Sequence, residues 1–150
     1  LAYLFRIKGN DREPNKILND LTFKSYNKSY KFENEWLSKS PKNIRAYNDD
    51  ELCGFTFTTN GFINLYKLLK RAYNAKLYET KNKDLEIFLI AGDKDPIIQN
   101  EKNFKELKEF LKNIGYKNTK SKLYPELRHV ILNEDEYEEI YKDILNFIEE

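Results

Sequence analysis

One apolar stretch constrains this chain more than any other part of it. The stretch runs from Leu85 to Gly92 and is followed directly by the polar sequence Asp93-Lys94-Asp95-Pro96. A short apolar run with β-branched and aromatic members predicts a parallel strand that is covered on both faces. In open α/β sheets, reactive groups gather beyond the carboxyl ends of such strands. The stretch therefore predicts a buried strand that delivers the carboxylate of Asp95.

A second strand is predicted at Lys120–Tyr124, and the only histidine of the chain, His129, follows it closely. Between the strands, Asn100–Ile114 carries apolar residues at helical spacing, and Gly115 is typical of a helix end. The unit is thus a βαβ crossover, whose sequential strands are expected to be adjacent, with Asp95 and His129 side by side. A carboxylate bonded to one imidazole nitrogen fixes the tautomer and leaves the other nitrogen to accept a proton.

The segments Ile90–Pro96 and Leu123–Glu134 together resemble α/β-hydrolases of the monoacylglycerol lipase and lysophospholipase type. The resemblance implies that Asp95, in the turn Gly92-x-x-Asp95, is the acid of a catalytic triad and that His129, after Arg128, is its base. Asp93 matches no catalytic position. Three upstream segments resemble parts of the family's cap: Phe23–Lys28, Trp36–Ser38 and Asp50–Thr58.

The fold class implied is α/β, namely the C-terminal part of an α/β-hydrolase fold with parallel strands and crossover helices, preceded by a mostly helical cap. We expect residues 1–84 to form the cap and residues 85–150 to belong to the core. Within the cap, helical patterns are predicted at Leu1–Lys8, Asn15–Leu21, Pro41–Tyr47 and Thr59–Asn74. Most cap aromatics are expected to pack internally, while a few line an acyl-chain tunnel.

The C-terminal segment carries a second set of helical signals. Asn133-x-x-Glu136 predicts a capping box at the start of a helix. The charged run 134–139 is expected to be a solvated helix face. A buried apolar stripe is predicted at Tyr137, Ile140, Tyr141, Ile144, Leu145 and Ile148.

A nucleophile elbow is missing from the sequence. The family places its serine in a Gly-x-Ser-x-Gly turn ahead of the cap, and none of the chain's serines has these flanks. The sequence also contains no methionine. The resemblance therefore implies the C-terminal half of a hydrolase, which requires an N-terminal half that carries the serine and the backbone amides of the oxyanion hole.

Composition excludes several other classes of protein. The chain has 26 basic and 25 acidic residues, interspersed, for a net charge of +1, so no basic surface for nucleic acid is predicted. A mean hydropathy of −0.80 and the lack of a long apolar run predict no transmembrane segment. The single cysteine permits no internal disulfide and favours a reducing, cytoplasmic location. No cofactor or metal is implied.

The function implied by the resemblance is serine-dependent hydrolysis of single-chain lipid esters, either lysophospholipids or monoacylglycerols. Alternatives are a general short-chain esterase and a non-catalytic binding or scaffold protein on the same fold. A third treats Asp93 and Asp95 as magnesium ligands of a phosphoryl-transfer enzyme. In a fourth, Cys53 acts as a nucleophile with His129, although a lone cysteine is commonly a buried small hydrophobe.

Overall fold

The computed structural model describes residues 2–7, 11–28 and 30–149. In this part of the chain, no helix is both long enough and apolar enough to cross a membrane. Two short 3-10 turns, Ala75–Leu77 and Ile131–Asn133, accompany the regular elements. The helices and strands are α1 (Ala2–Ile7), α2 (Lys16–Asn27), α3 (Pro41–Asp49), α4 (Thr59–Ala72), β1 (Ile87–Gly92), α5 (Glu101–Asn113), β2 (Thr119–Tyr124) and α6 (Tyr137–Glu149).

The two strands form a parallel pair joined by α5. Their register sets Ile87 opposite Thr119 and Gly92 opposite Tyr124, so both strands end at the same edge of the sheet. The ends of the connecting helix follow the sequence signals. The Asn100 side chain accepts a hydrogen bond from an amide of the first turn, and Gly115 follows the helix with a φ of 113°. The βαβ unit and the α/β fold class are confirmed.

The helical region preceding β1 is held by a small apolar cluster and by side-chain caps. Ala2, Leu18, Phe62 and Ile63 are buried together where α1, α2 and α4 meet. The Asn15 side chain accepts from the amide of Leu18 at 3.0 Å, which caps α2. This cap starts a helix that runs to Asn27, well beyond the Leu21 end that the sequence predicts.

Burial is less complete than the apolar patterns predict. In β1 only Ala91 and Gly92 are buried, so the expectation of a strand covered on both faces is wrong. The predicted stripe of α6 is buried only at Ile140, and Ile148 is 71% exposed. In α4, Phe62 is buried while later residues of the same face are exposed. A two-stranded sheet offers too little surface to cover these faces.

Two expectations near the C-terminus are also wrong. Asn133 closes a 3-10 turn and α6 begins only at Tyr137, so the proposed capping box does not start the helix. Glu134 has no exposed surface, whereas the sequence predicts that it belongs to a solvated face. The predicted end of the first helical pattern at Lys8 lies outside the described residues, and the boundary between residues 84 and 85 stays a prediction.

Gly92 occupies the closest contact between β1 and the loop after β2. A Cβ atom at this position would lie 2.1 Å from the carbonyl oxygen of Leu127 and 2.5 Å from that of Arg128. Both obstacles are backbone atoms, which cannot rotate away as a side chain can. Any residue other than glycine must therefore push the histidine loop away from the strand end.

We expect Gly92→Ala to lower the free energy of unfolding by about 1–3 kcal/mol or more, because the added methyl overpacks a backbone contact. Urea denaturation measures this change. Gly61→Ala is the control, since its Cβ would meet a side-chain carbon at 3.3 Å and alanine favours the helix by about 1 kcal/mol. Equal stability of Gly92→Ala and the unmodified protein would contradict the packing described here.

Candidate active site

Asp95 lies in the turn that follows β1 and is 6% exposed. Its amide donates to the carbonyl of Gly92 at 3.2 Å, which closes the turn. One carboxylate oxygen, Oδ1, accepts from the amide of Ile97 at 2.8 Å. The local backbone thus fixes the side chain and leaves Oδ2 for a further partner.

That partner is the imidazole of His129. Its Nδ1 lies 2.9 Å from Asp95 Oδ2, and the histidine side chain is 37% exposed while that of Asp95 is 7% exposed. The βαβ geometry has therefore brought the two residues together as the sequence predicts. With Nδ1 donating to a carboxylate, Nε2 carries the free lone pair and is able to accept a proton.

Hydrogen bonds beyond the strand ends join the acid turn to the histidine loop. The amides of Asp93 and Lys94 donate to the carbonyls of Tyr124 and Leu127, each at 3.0 Å. The Asp93 carboxylate accepts from the amide of Glu126 at 2.7 Å. Asp93 thereby holds the loop that follows β2, and its nearest polar partner is the backbone amide of Glu126. This role agrees with the absence of a catalytic match at Asp93.

Trp36 packs against the candidate base, a contact that the sequence did not predict. The indole and imidazole ring centroids are 5.3 Å apart at an angle of 37°. The backbone contributes as well, since the amide of His129 donates to the carbonyl of Trp36 at 3.3 Å and that of Val130 donates to Leu37 at 2.8 Å. The histidine loop is thus paired with the segment Trp36–Lys39, which we call the docking segment.

Arg128 binds the docking segment through hydrogen bonds from its guanidinium group. Nη1 donates to the carbonyls of Glu35 and Ser38, the latter at 2.9 Å, and lies 3.5 Å from the Glu35 carboxylate. The guanidinium also stacks over the Tyr30 ring at 4.5 Å. The amide of Phe32 is the main cause that lowers the pKa of Glu35, and Arg128 adds to it. The arginine beside the histidine therefore holds Tyr30, Glu35 and Ser38 close to the histidine loop.

A cavity of about 690 Å³ opens between α2 and the loop that precedes α4. Trp36 forms part of its wall, together with Phe23, Phe55 and Phe57. Because Trp36 also contacts His129, one side chain links the cavity to the candidate base. A smaller space of about 350 Å³ is lined by His129 and by residues 130–133.

The remaining candidate nucleophile and metal ligands have other environments. Cys53 lines the large cavity, and partial burial and the neighbouring Asp50 carboxylate raise the pKa of its thiol, the opposite of what activates a cysteine. Among the described residues, no group of three or more His, Cys, Asp or Glu side chains is arranged to hold a metal ion.

An acid and a histidine that follow neighbouring parallel strands joined by a crossover helix are the arrangement of an α/β-hydrolase fold. The family profile described as serine aminopeptidase, S33 (Hydrolase_4) matches residues 9–136. The chain belongs to this family. No curated relative matches the sequence.

Solved structures share the fold at low sequence identity. A thermostable carboxyl esterase from Bacillus coagulans is 22% identical with a TM-score of 0.85, and the match covers 99% of this chain and 49% of that one. A monoacylglycerol lipase from Paleococcus ferrophilus is 16% identical with a TM-score of 0.60, and the match covers 93% of this chain and 53% of that one. A soluble variant of monoglyceride lipase from Saccharomyces cerevisiae is 17% identical with a TM-score of 0.59, and the match covers 89% of this chain and 47% of that one. The chain spans about half the length of each.

We expect Arg128→Lys to lower the free energy of unfolding by about 1–3 kcal/mol, because an ammonium cannot stack on the Tyr30 ring as a planar guanidinium does while it donates to the carbonyls of Glu35 and Ser38. Urea denaturation followed by circular dichroism measures the loss. Arg45→Lys, an exposed position on α3, is the control and should change stability by less than about 0.5 kcal/mol. Equal effects at the two positions would argue against a structural role of Arg128.

Proposed function

We propose that this chain supplies the acid and the base of a serine-dependent carboxylic ester hydrolase. Asp95 orients His129, and His129 takes the proton of a serine hydroxyl as that oxygen attacks the ester carbonyl. His129 then returns the proton to the departing alcohol. The serine and the oxyanion hole come from an N-terminal half of the same hydrolase, because no nucleophile elbow occurs in residues 1–150.

The bond between His129 Nδ1 and Asp95 Oδ2 is the observation that carries the proposal. A buried carboxylate that already accepts from a backbone amide holds its second oxygen in a fixed direction. The imidazole is therefore held in one tautomer, and the imidazolium formed during attack is stabilised by the adjacent negative charge. Membership of the S33 family and the esterase and lipase folds support the same chemistry.

The proposed substrate is a single-chain lipid ester, such as a lysophospholipid or a monoacylglycerol. The large cavity combines aromatic walls with lysine, asparagine and acidic side chains at its rim, which suits an apolar chain whose polar head stays near water. Trp36 lines this cavity and also contacts His129, and we propose that an acyl chain in the cavity places its ester end on the side of the base. Two of the similar folds are described as monoacylglycerol and monoglyceride lipases.

We expect Asp95→Asn and His129→Ala, each made in the complete hydrolase, to lower kcat for a p-nitrophenyl ester on the order of 10³- to 10⁴-fold. Circular dichroism should show that both variants remain folded. Asp93→Asn is the matched control, because asparagine still accepts the Glu126 amide, and it should keep activity within about threefold. Near-normal turnover in either triad variant would refute the assignment. A complete, folded protein without turnover would instead favour a binding role.

Chain-length preference tests the proposed substrate. Each buried methylene contributes at most about 0.8 kcal/mol, so each two-carbon step in a series of p-nitrophenyl esters should raise kcat/KM by at most about 15-fold until the cavity is full. Phe55→Ala removes a cavity wall and should flatten this dependence while acetate-ester turnover is kept. Phe32→Ala, which is similarly exposed but lies away from this cavity, should not. A preference for acetyl over octanoyl esters would exclude the lipid substrate.

A further inference from the structure

Glu134 is an acidic side chain with no solvent-exposed surface. Burial of a carboxylate is costly unless its oxygens accept hydrogen bonds. Here they do: Oε2 accepts from Ser38 Oγ at 2.6 Å and from the amide of Lys39 at 3.0 Å. Oε1 accepts from the amide of Arg128 at 3.2 Å. The carboxylate is therefore a built acceptor site for donors of the protein itself.

The three donors belong to two different parts of the chain. Ser38 and Lys39 lie in the docking segment, whereas Arg128 immediately precedes the candidate base His129. Ser38 is itself a junction, because its hydroxyl oxygen also accepts from the amide of Ser40 at 3.1 Å. The Glu134 side chain thus joins a segment about 95 positions away in the sequence to the peptide that carries His129.

The hydrogen bonds of Glu134 lie beside a backbone pairing between the docking segment and the histidine loop. Next to them, the amides of His129 and Val130 donate to the carbonyls of Trp36 and Leu37. The indole of Trp36 then lies against the imidazole ring. A shift of the docking segment would therefore move both the backbone partner and the ring partner of His129.

We propose that Glu134 is a positioning residue for His129, which couples docking of the cap to the geometry of the base. The role rests on the proposed function. Glu134 exchanges no proton in the reaction: it accepts from both segments and so holds the imidazole at the distance and angle at which Asp95 and the serine use it. Misplacement of a catalytic group by about 1 Å is able to cost on the order of 100-fold in rate.

Glu134→Gln is the decisive variant because it keeps the size of the side chain and replaces one of its two acceptor oxygens by a donor group. A glutamine amide has one acceptor oxygen and one donor NH₂ group, and all three partners of Glu134 are donors. The bond that Ser38 Oγ donates is lost if the NH₂ group takes the place of Oε2, and the bond from the Arg128 amide is lost if it takes the place of Oε1. Glu138→Gln is the matched control, since Glu138 is a nearby exposed acid on α6 whose hydrogen bond is to the neighbouring Tyr137.

Hydrogen exchange followed by mass spectrometry tests the coupling without any need for activity. In Glu134→Gln, peptides that contain residues 36–39 and 128–131 should both exchange faster, by about tenfold or more, while peptides from α5 keep their rates. Glu138→Gln should leave all of them unchanged. Unaltered protection in both segments of a folded Glu134→Gln protein would overturn the proposal. Ser38→Ala removes one donor to Glu134 together with the acceptor of the Ser40 amide. It should speed exchange in the same two segments and serves if Glu134→Gln does not fold.

Kinetics of the complete hydrolase tests the positioning role. Glu134→Gln should lower kcat by about 10- to 100-fold with KM changed less than about threefold. Placed in a His129→Ala background, the same substitution should cause no further loss, because a residue that acts through His129 has nothing left to position. An equal loss in both backgrounds would overturn the proposal in favour of a purely structural role. Full activity of His129→Ala itself would refute the proposed function, while the exchange result would still stand.

Discussion

The candidate site depends on one parallel strand pair whose hydrogen bonding does not stop where the strands stop. Beyond β1 and β2, the amides of Asp93 and Lys94 continue to bond the second loop, and Asp93 adds a side-chain bond. Gly92 permits this pairing because no side chain separates the loops at the point of closest approach. The distance between Asp95 and His129 is consequently fixed by backbone, with little freedom left to side-chain rotation.

Sequence predicted the parts of this arrangement that follow from chain order. A strand ending in Gly92-x-x-Asp95, a helix and a second strand before His129 leave few topologies, so the acid and the base had to meet. The C-terminal end of α5 was predicted for a similar reason, because Gly115 acts on backbone within one turn of itself. Local rules of this kind need no knowledge of distant partners.

The predictions that were wrong concern residues whose partners are distant in the sequence. Glu134 stands in a run of acids and was expected in solvent, yet its donors Ser38 and Lys39 are about 95 positions away, beyond the reach of any local pattern. Periodicity likewise identified the apolar face of α6 but not what covers it, and most of that face is exposed in the described structure. Trp36 was assigned to the cap by resemblance, without its contact to the imidazole.

The packing of Trp36 on His129 has a spectroscopic consequence. The sequence contains one tryptophan, it is 8% exposed, and its ring lies 5.3 Å from the imidazole. Indole emission depends on the polarity of its surroundings, so the fluorescence of this residue is expected to change when a molecule enters the adjoining cavity. The chain thus carries an intrinsic optical reporter at the contact between the docking segment and the histidine loop.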